Sequence, residues 1–417
     1  MERKIKYFEL STNDSGGAGL AALKSIELRQ SQGYDAKLIV WNKSSNSDAV
    51  IGILDSHRWL DRIALQWYRI ISNIRKKFFA GIKKSKYNFF DIQLNRVSAK
   101  KILELYGDTP DFILVGWVTD FVSAKTIYKL KELTGAKIVY LMTDNSPIGG
   151  GCHYPWNCLG YTKDCYPCPA LGKGNYRAQK TLQFKHQYIT DDMMISGTTN
   201  DTNRARKSLL FRNSEIVVSA ILGKNPYEFE RSVGRKLWNI DDDKFVIFCG
   251  AASINAERKG FKQLLKAMEH LKTLEHDISN ILILVAGGTS VSFPDGYEVK
   301  CLGRLGFEDL FKAYCCADMF VCPSLEDSGP MMIKYGVMAY IPVVSFEMGI
   351  APDLILHKKN GYMAKWNDHE DFARGIHFWM HNVYDKDELI KTNNALAEQI
   401  DKEKSLWNHL DDILNRS

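Results

Sequence analysis

Two loops in the second half of the chain carry the charged side chains best suited to chemistry. The first loop contains the adjacent cations Arg258 and Lys259, which precede Gly260 at the start of a predicted helix. Free backbone N–H groups and the positive end of the helix dipole favour anions at such a position, so the pair suits a diphosphate. The second loop carries the neighbouring carboxylates Glu326 and Asp327 between a buried apolar strand and a helix. This pattern predicts a ligand site at the strand ends of an open α/β sheet, with a solvated helix start as the alternative for the cations.

A cluster of glycines follows the first predicted strand, residues 5–10. Gly16, Gly17 and Gly19 lie in the run STNDSGGAG, directly before a predicted helix over residues 20–32. Glycine lets a ligand approach the backbone closely, and a helix N-terminus favours an anion. The cluster therefore indicates a cradle for a phosphate or a leaving group. A tight strand-to-helix turn that needs glycine for packing alone is the alternative.

Two further carboxylates follow predicted buried strands in the first half of the chain. Asp120 comes after the apolar run 111–117, and Asp144 comes after the run 136–142. Loops after the strands of an open parallel sheet line its ligand cleft. Asp120 and Asp144 are therefore candidate catalytic residues, together with Lys259.

A short segment, residues 150–171, contains four cysteines, at Cys152, Cys158, Cys165 and Cys168. Four thiolates complete a tetrahedral zinc site, and a loop of this length with little helix or strand pattern needs a staple. We therefore predict a structural zinc ion that shapes the acceptor side of the cleft and leaves no open position for chemistry. An iron–sulfur cluster, free thiols, a disulfide, or His153 in place of one thiolate are the alternatives.

The elements that position these residues alternate between strand and helix. In the second half, apolar runs predict strands at residues 245–249, 281–286, 298–301, 319–322 and 343–346. Helical patterns between them predict parallel sheets with right-handed crossovers, and so an α/β fold. A chain of 417 residues exceeds one ordinary core and predicts two domains of roughly 200 residues each.

Composition limits the class of protein. The chain is 45% hydrophobic and 25% charged, as folded soluble proteins are, and its formal net charge of +6 is mild for this length. No nucleic-acid module accompanies that charge, so nucleic acid is not expected as a partner. We expect a cytoplasmic location, because no run of about 18 apolar residues and no signal-peptide core occurs.

Residues 57–90 combine apolar and aromatic side chains at helical spacing with many lysines and arginines. A basic amphipathic helix of this kind is typical of a segment that lies on an anionic lipid surface. The segment therefore predicts a peripheral position on the inner face of the membrane. A helix that packs between domains and has a solvated basic face is the alternative.

From Pro323 to Pro342 the spacing resembles the signature of retaining glycosyltransferases of family 4. That signature is P-S-x-x-acid, a Glu eight residues later, and then Pro-Val. The match places Asp327 at the first acidic position and Tyr335 at the second, so a phenol replaces the second carboxylate. Lys259 and Gly260 match the family's Lys-Gly, which contacts the donor pyrophosphate, and the GGAG run is typical of its first loop.

The first half resembles the polysaccharide-assembly branch of the same family. In that branch one strand ends in His-Trp, and a later strand ends in His-Asp before a Gly-Gly-Cys segment. This chain keeps Trp117 and Asp144 but has Gly116 and Thr143 where the histidines would fall. The usual contacts to the transferred sugar are therefore expected to differ.

This resemblance implies the GT-B architecture, in which two Rossmann-like domains face each other across a cleft. It assigns residues 1–222 to an acceptor-side domain, 223–395 to a nucleotide-sugar domain and 396–417 to a tail helix that packs back on the first domain. The donor phosphates would be held by Arg258, Lys259 and the backbone amides near Gly349, Ile350 and Gly17, without a catalytic metal.

The implied function is retaining transfer of a sugar from a nucleoside diphosphate sugar to a glycan or lipid-linked acceptor in surface polysaccharide synthesis. Glu326, Asp327 and Tyr335 would contact the donor. One alternative is a catalytically weakened relative that binds a sugar nucleotide or a partner in the same pathway. An epimerase or a phosphorylase on the same fold is a third hypothesis.

Overall fold

A computed structural model describes most of the chain. The described residues are 4–55, 63, 67, 70, 71, 74, 86–89, 93, 96–190, 192–219, 222, 225–227, 229–251, 254–287, 291–382 and 384–404. They form two compact units, one of residues 1–196 and 201–217 and the other of residues 197–200 and 218–417. The division at Val218 lies close to the boundary that the sequence predicts.

The first unit contains a sheet with the strand order β3-β2-β1-β4-β5-β6-β7. Its neighbouring strands from β3 to β6 pair in parallel. The strands are β1 (Lys6–Asn13), β2 (Asp35–Asn42), β3 (Val50–Gly52), β4 (Phe112–Val115), β5 (Lys137–Met142), β6 (Met193–Ser196) and β7 (Ile216–Val218). The helices of this half that are described from end to end are α1 (Gly16–Ser31), α2 (Ala99–Tyr106), α3 (Ala124–Thr134), α4 (Arg177–His186) and α5 (Thr199–Lys207).

The second unit contains a parallel sheet with the order β10-β9-β8-β11-β12-β13. The strands are β8 (Phe245–Gly250), β9 (Ile281–Ala286), β10 (Glu298–Gly303), β11 (Met319–Cys322), β12 (Val343–Phe346) and β13 (Gly361–Ala364). The helices are α6 (Arg231–Leu237), α7 (Phe261–Leu274), α8 (Phe307–Cys316), α9 (Met331–Met338), α10 (Ala351–Leu354), α11 (His369–His381) and α12 (Lys386–Lys404).

Both cores form as the apolar patterns predict. Strand β9 is buried along its whole length, because helices cover a parallel sheet on both faces. Local signals set several helix ends: Ser98, Ser123 and Asp368 each accept a hydrogen bond from a backbone N–H in the first turn of α2, α3 and α11. The prediction of an α/β fold with two parallel sheets is confirmed.

The last described helix crosses the domain boundary that the sequence predicts at residue 395. Helix α12 begins at Lys386 and continues through residue 396, and Leu396 and Ile400 lie in the hydrophobic core of the second unit. The predicted boundary at 395 therefore falls inside α12, and the packing of a tail helix on the first unit stays a prediction. Residues 405–417 lie outside the described residues.

The basic segment 57–90 is described at few positions. Five of its apolar side chains, at Ile63, Trp67, Ile70, Ile71 and Ile74, are helical and between 44% and 63% exposed. Its lysines from 76 to 84 lie outside the described residues. None of the helices in the described ranges is both long and apolar enough to cross a membrane.

Candidate functional site

The cations of the first loop and a carboxylate of the second loop meet in the second unit. Arg258 Nη1 lies 2.7 Å from Asp327 Oδ2, and Lys259 Nζ lies 2.5 Å from the same oxygen. All three side chains are at most 20% exposed. Burial alone would raise the pKa of Asp327, but Lys259 and Arg258 hold that pKa below its usual value. The group is therefore a compact set of two cations and one ionised carboxylate.

Backbone contacts lock these two loops together. The carbonyl of Arg258 accepts hydrogen bonds from the N–H groups of Leu325, at 2.8 Å, and Glu326, at 3.3 Å. Gly260 has a φ of +65°, and a Cβ there would lie 1.7 Å from the carbonyl oxygen of Pro323. Only glycine fits this position. Gly260 therefore lets the two loops approach closely, and this approach places Lys259 next to the carboxylate loop.

A third loop, residues 347–351, packs on the same carboxylate loop. Gly349 has a φ of +55°, and a Cβ there would lie 2.8 Å from the carbonyl oxygen of Asp327. Ile350, directly before the short helix α10, is 7% exposed. The structure thus brings the predicted donor residues Arg258, Lys259, Asp327 and Gly349 together.

The place of these loops in the sheet explains their convergence. They follow β8, β11 and β12, which are neighbours in the order β9-β8-β11-β12. The chain first winds from β8 towards β10 and then returns to add β11 on the other side of β8. The carboxyl ends of β8 and β11 therefore flank a topological switch point, the usual ligand site of an open α/β sheet.

Tyr335 occupies a packing position at the second signature site. Its ring centroid lies 5.4 Å from that of Phe307 and 5.6 Å from that of Phe311, and the half-buried ring packs against the core of the unit. Burial raises the pKa of its phenol. The predicted contact of Tyr335 with the donor stays a prediction.

In the first unit, Asp144 is buried and has several partners. Its carboxylate accepts hydrogen bonds from Trp117 Nε1 at 3.0 Å and from the N–H of Ser146 at 2.8 Å. His153 Nδ1 lies 2.6 Å from Asp144 Oδ2. Burial alone would raise the pKa of Asp144, but His153 and Ser146 hold it below its usual value. The sequence suggested His153 as a spare zinc ligand, and the structure places it on Asp144 instead.

The other predicted carboxylate has a different partner. Asp120 has a φ of +64°, and its carboxylate lies 3.8 Å from Arg96 Nη2. The catalytic roles proposed for Asp120 and Asp144 stay predictions.

Glu9 is a buried carboxyl group that sequence reasoning missed. Burial raises its pKa to about 8, and one of its oxygens lies 2.9 Å from where a Cβ on Gly116 would be. A histidine at position 116, as in the polysaccharide-assembly branch, would require the Glu9 carboxyl group to move. The one signal in the sequence is an acidic residue inside the apolar strand β1.

The glycine cluster begins helix α1, and its members have different roles. A Cβ on Gly19 would lie 2.4 Å from the carbonyl oxygen of Asn13, so Gly19 is required for packing. Gly16 has a φ of +74°, and neither Gly16 nor Gly17 has a heavy atom within 4 Å of an added Cβ. Close packing thus accounts for the glycine at position 19. The space beside Gly16 and Gly17 is open, and their role in binding a phosphate stays a prediction.

Asp14, beside these glycines, was also missed. Its carboxylate accepts hydrogen bonds from the N–H and hydroxyl groups of Ser44 and from the N–H of Ser45. Burial alone would raise its pKa, but these bonds lower the pKa to about 2. Asp14 therefore joins the loops after β1 and β2.

The four cysteines lie close enough for their thiols to interact. A hydrogen bond between Cys152 and Cys168 raises the pKa of Cys152 and lowers that of Cys168, and Cys158 and Cys165 also act on Cys152 through their charges. All four are free thiols. In the described part of the chain their sulfur atoms do not form a group of three within 4.8 Å of one another. The zinc site stays a prediction.

Comparison with known proteins identifies a family and several relatives to which the chain is similar. Residues 243–382 match the family described as "Glycosyl transferases group 1". The "Uncharacterized glycosyltransferase MJ1607" of Methanocaldococcus jannaschii is 23% identical over 241 residues, which cover 54% of this chain and 60% of that protein. The chain thus matches about 60% of the length of this curated relative.

Solved structures show the same fold. Sucrose-phosphate synthase from Thermosynechococcus elongatus has a TM-score of 0.61 at 13% identity, over 99% of this chain and 98% of that one. Anabaena Alr3699/HepE, solved in complex with UDP-glucose, has a TM-score of 0.61 at 11% identity, over 99% of this chain and all of that one. The two parallel Rossmann-like sheets match those of GT-B glycosyltransferases.

The match over residues 243–382 places this part of the second unit in the group 1 glycosyltransferase family. The matched region contains the Arg258–Lys259–Asp327 group and the signature from Pro323 to Pro342.

Proposed function

We propose that this protein transfers a sugar from a nucleoside diphosphate sugar to a glycan acceptor, with retention of the anomeric configuration. The observation that carries the proposal is the Arg258–Lys259–Asp327 group at the switch point of the second sheet. Two cations held by one carboxylate oxygen suit a ligand with two adjacent phosphates.

In this reaction the Arg258–Lys259–Asp327 group stabilises the leaving diphosphate. Preformed cations and backbone N–H groups, aimed at the position where negative charge develops, lower the barrier because they need no reorganisation. Lys259 and Arg258 supply the cations, and the loop around Gly349 and Ile350 supplies amides. This arrangement needs no catalytic metal. Asp327 keeps the two cations in place before the donor binds.

The donor is proposed to be a UDP-sugar, because a solved structure with the same fold contains UDP-glucose. A panel of ligands in a thermal-shift assay tests the class of donor, since a ligand of the folded state raises stability by mass action. We expect stabilisation by UDP and by UDP-sugars and none by NAD. Stabilisation by NAD alone would contradict the proposal.

The acceptor is proposed to be a growing, lipid-linked surface polysaccharide. Trp117, Asp144 and the Gly-Gly-Cys segment, which resemble the polysaccharide-assembly branch, support this acceptor. The exposed apolar positions Ile63, Trp67 and Ile70 support a position on the cytoplasmic face of a membrane, because their spacing puts them on one side of a helix.

Binding to lipid vesicles tests the membrane position. We expect the double substitution Lys76→Gln and Lys77→Gln to weaken binding to anionic vesicles by about 2 kcal/mol, at about 1 kcal/mol per charge. The control is Lys266→Gln with Lys272→Gln on α7, which removes the same charge elsewhere. Sedimentation that is indifferent to lipid charge would favour a packing helix.

A second candidate function is a weakened relative that binds a sugar nucleotide without efficient transfer. The observation that favours it is the packing of Tyr335, since an ionised carboxylate is absent where the family signature has its second Glu. Turnover separates the two: the weakened relative would bind UDP-sugars and release no UDP in the presence of acceptor.

The substitution Tyr335→Phe tests the donor contact of Tyr335 while the ring packing is kept. If the hydroxyl binds the donor, we expect affinity to fall by about 0.5–1.5 kcal/mol in calorimetry with an unchanged melting temperature. Unchanged affinity would limit Tyr335 to packing. The sequence alone suggested that Tyr335→Glu tightens donor binding, but that change also removes a ring that contacts Phe307 and Phe311.

A structural zinc ion at Cys152, Cys158, Cys165 and Cys168 is proposed for the first unit. The interacting thiols support it. Purified protein is expected to contain about one zinc per chain at this site, and a strong chelator should lower the melting temperature. The substitution Cys165→Ser should remove that zinc, whereas Cys315→Ser in the second unit should not. Metal-free protein of unchanged stability would rule out the site.

A further inference from the structure

Two histidines of the second unit lie one turn apart on the same helix. His377 and His381 are four positions apart on α11, and their ring centroids are 4.5 Å apart. Residues at this spacing share one face of a helix. Their side chains are 35% and 54% exposed, so ions from solution can reach both.

A carboxylate from a neighbouring helix completes the group. Glu275 directly follows α7, which packs against α11. Glu275 Oε2 lies 2.6 Å from His381 Nε2 and 4.0 Å from His377 Nε2. A hydrogen bond with His381 holds the pKa of Glu275 below its usual value. Among the described residues, this group of three offers ligand atoms that all lie within 4.8 Å of one another.

We propose that Glu275, His377 and His381 bind a divalent transition-metal ion, with Zn²⁺ as the preferred ion. Two imidazoles and one carboxylate suit Zn²⁺, Co²⁺ and Ni²⁺, whereas Mg²⁺ and Ca²⁺ prefer all-oxygen ligands. Partial exposure of the group leaves room for water at the fourth position.

The distances require only small movements of side chains. Tetrahedral zinc with bonds of about 2.0–2.1 Å separates its ligand atoms by about 3.3 Å. The pair Glu275–His381, at 2.6 Å, must open slightly, and the pair Glu275–His377, at 4.0 Å, must close by a similar amount. Rotation of the carboxylate towards His377 changes both distances in the required direction.

Such an ion would join the C-terminal ends of α7 and α11. It lies far from the proposed donor site, because Arg258 and Lys259 precede the N-terminus of α7 and the 14-residue helix is about 20 Å long. We therefore expect the metal to stabilise the second unit and to leave the affinity for UDP unchanged. The inference does not depend on the proposed sugar transfer.

The test compares zinc binding by the full-length protein and its variants, starting from metal-free samples at neutral pH. His377→Gln and His381→Gln should each weaken binding at this site at least about tenfold, as should Glu275→Gln. His369→Gln is the matched control, since His369 lies on the first turn of the same helix. Each of the three ligand variants should contain one zinc ion per chain fewer than the control. Zinc at the cysteines does not affect this difference, because all the variants keep the cysteines.

Cobalt binding distinguishes the Glu275–His377–His381 site from the site proposed at the four cysteines. Co²⁺ bound to imidazole and carboxylate should give a visible absorption band without the intense near-ultraviolet band of a thiolate complex. His381→Gln should remove this component, and His369→Gln should keep it. Melting temperatures in the presence of a chelator show whether each variant is folded. Equal metal content in all variants, or the same loss in the control, would overturn the proposal.

Discussion

The substitution Gly260→Ala is expected to disrupt the candidate donor site and to destabilise the second unit by about 3 kcal/mol or more. Its added Cβ would lie 1.7 Å from the carbonyl oxygen of Pro323, at a φ of +65°. That overlap involves backbone on both sides, so the loop with Arg258 and Lys259 must move away from the carboxylate loop. Binding of UDP should be lost with it.

Gly303→Ala is a close control for this change. Gly303 also has a φ of +65°, but no heavy atom lies within 4 Å of its added Cβ. The substitution Gly303→Ala is therefore expected to destabilise the protein only through backbone conformation, by about 1–2 kcal/mol for an L-residue in the left-handed region. Denaturant unfolding and calorimetry of both variants measure the difference. Equal destabilisation would mean that the contact with Pro323 does not constrain the loop.

The substitution Lys259→Ala should have the largest effect on function. We expect nucleoside diphosphate binding to weaken by about 1.5–3 kcal/mol, the usual contribution of a charge-assisted hydrogen bond. Transfer should slow by about 100-fold or more, because the leaving diphosphate loses a preformed cation. Asp327 keeps Arg258 as a partner at 2.7 Å, so the variant should remain folded.

Lys262→Ala provides the control for net charge. Lys262 lies on the first turn of α7 and is exposed. Its substitution by alanine therefore removes the same charge close to the site, but it removes no contact with Asp327. Calorimetry with UDP and initial rates of UDP release report binding and transfer separately. Equal losses in both variants would show that general charge attracts the anion.

These two results distinguish the parts of the proposal. Lys259→Ala tests the cation and leaves the loop in place, whereas Gly260→Ala moves the loop. If Gly260→Ala abolishes UDP binding but Lys259→Ala does not, the loop shapes the site through its backbone. The Arg258–Lys259–Asp327 group would then be structural.

Local patterns in the sequence were sufficient to predict the fold class. Strands 281–286, 319–322 and 343–346 agree with β9, β11 and β12 in the structure. A short, fully buried strand is an uninterrupted apolar run, and the residues that define it are adjacent along the chain. Loop positions such as Lys259 and Asp327 follow from the same pattern, because ligand loops come after strands.

Contacts between distant residues could not be predicted in this way. Asp327 meets Lys259 across 68 positions, and Glu275 meets His381 across 106 positions. The order of strands decides which loops become neighbours, and no periodicity encodes that order.

In the first unit, too, contacts between distant residues could not be predicted from the sequence. In the sequence, His153 was considered only as a substitute ligand for a metal in the Cys-rich segment 150–171, yet folding brings it to Asp144. Gly116 stands where the resembling branch has a histidine, and the structure places the Glu9 carboxyl group beside this position. Residue types and their spacing along the chain therefore determined the fold class and the candidate loops, since both depend on neighbours in sequence. The partner of each charged side chain was decided by packing in three dimensions, because burial and charge act through space between residues far apart in the chain.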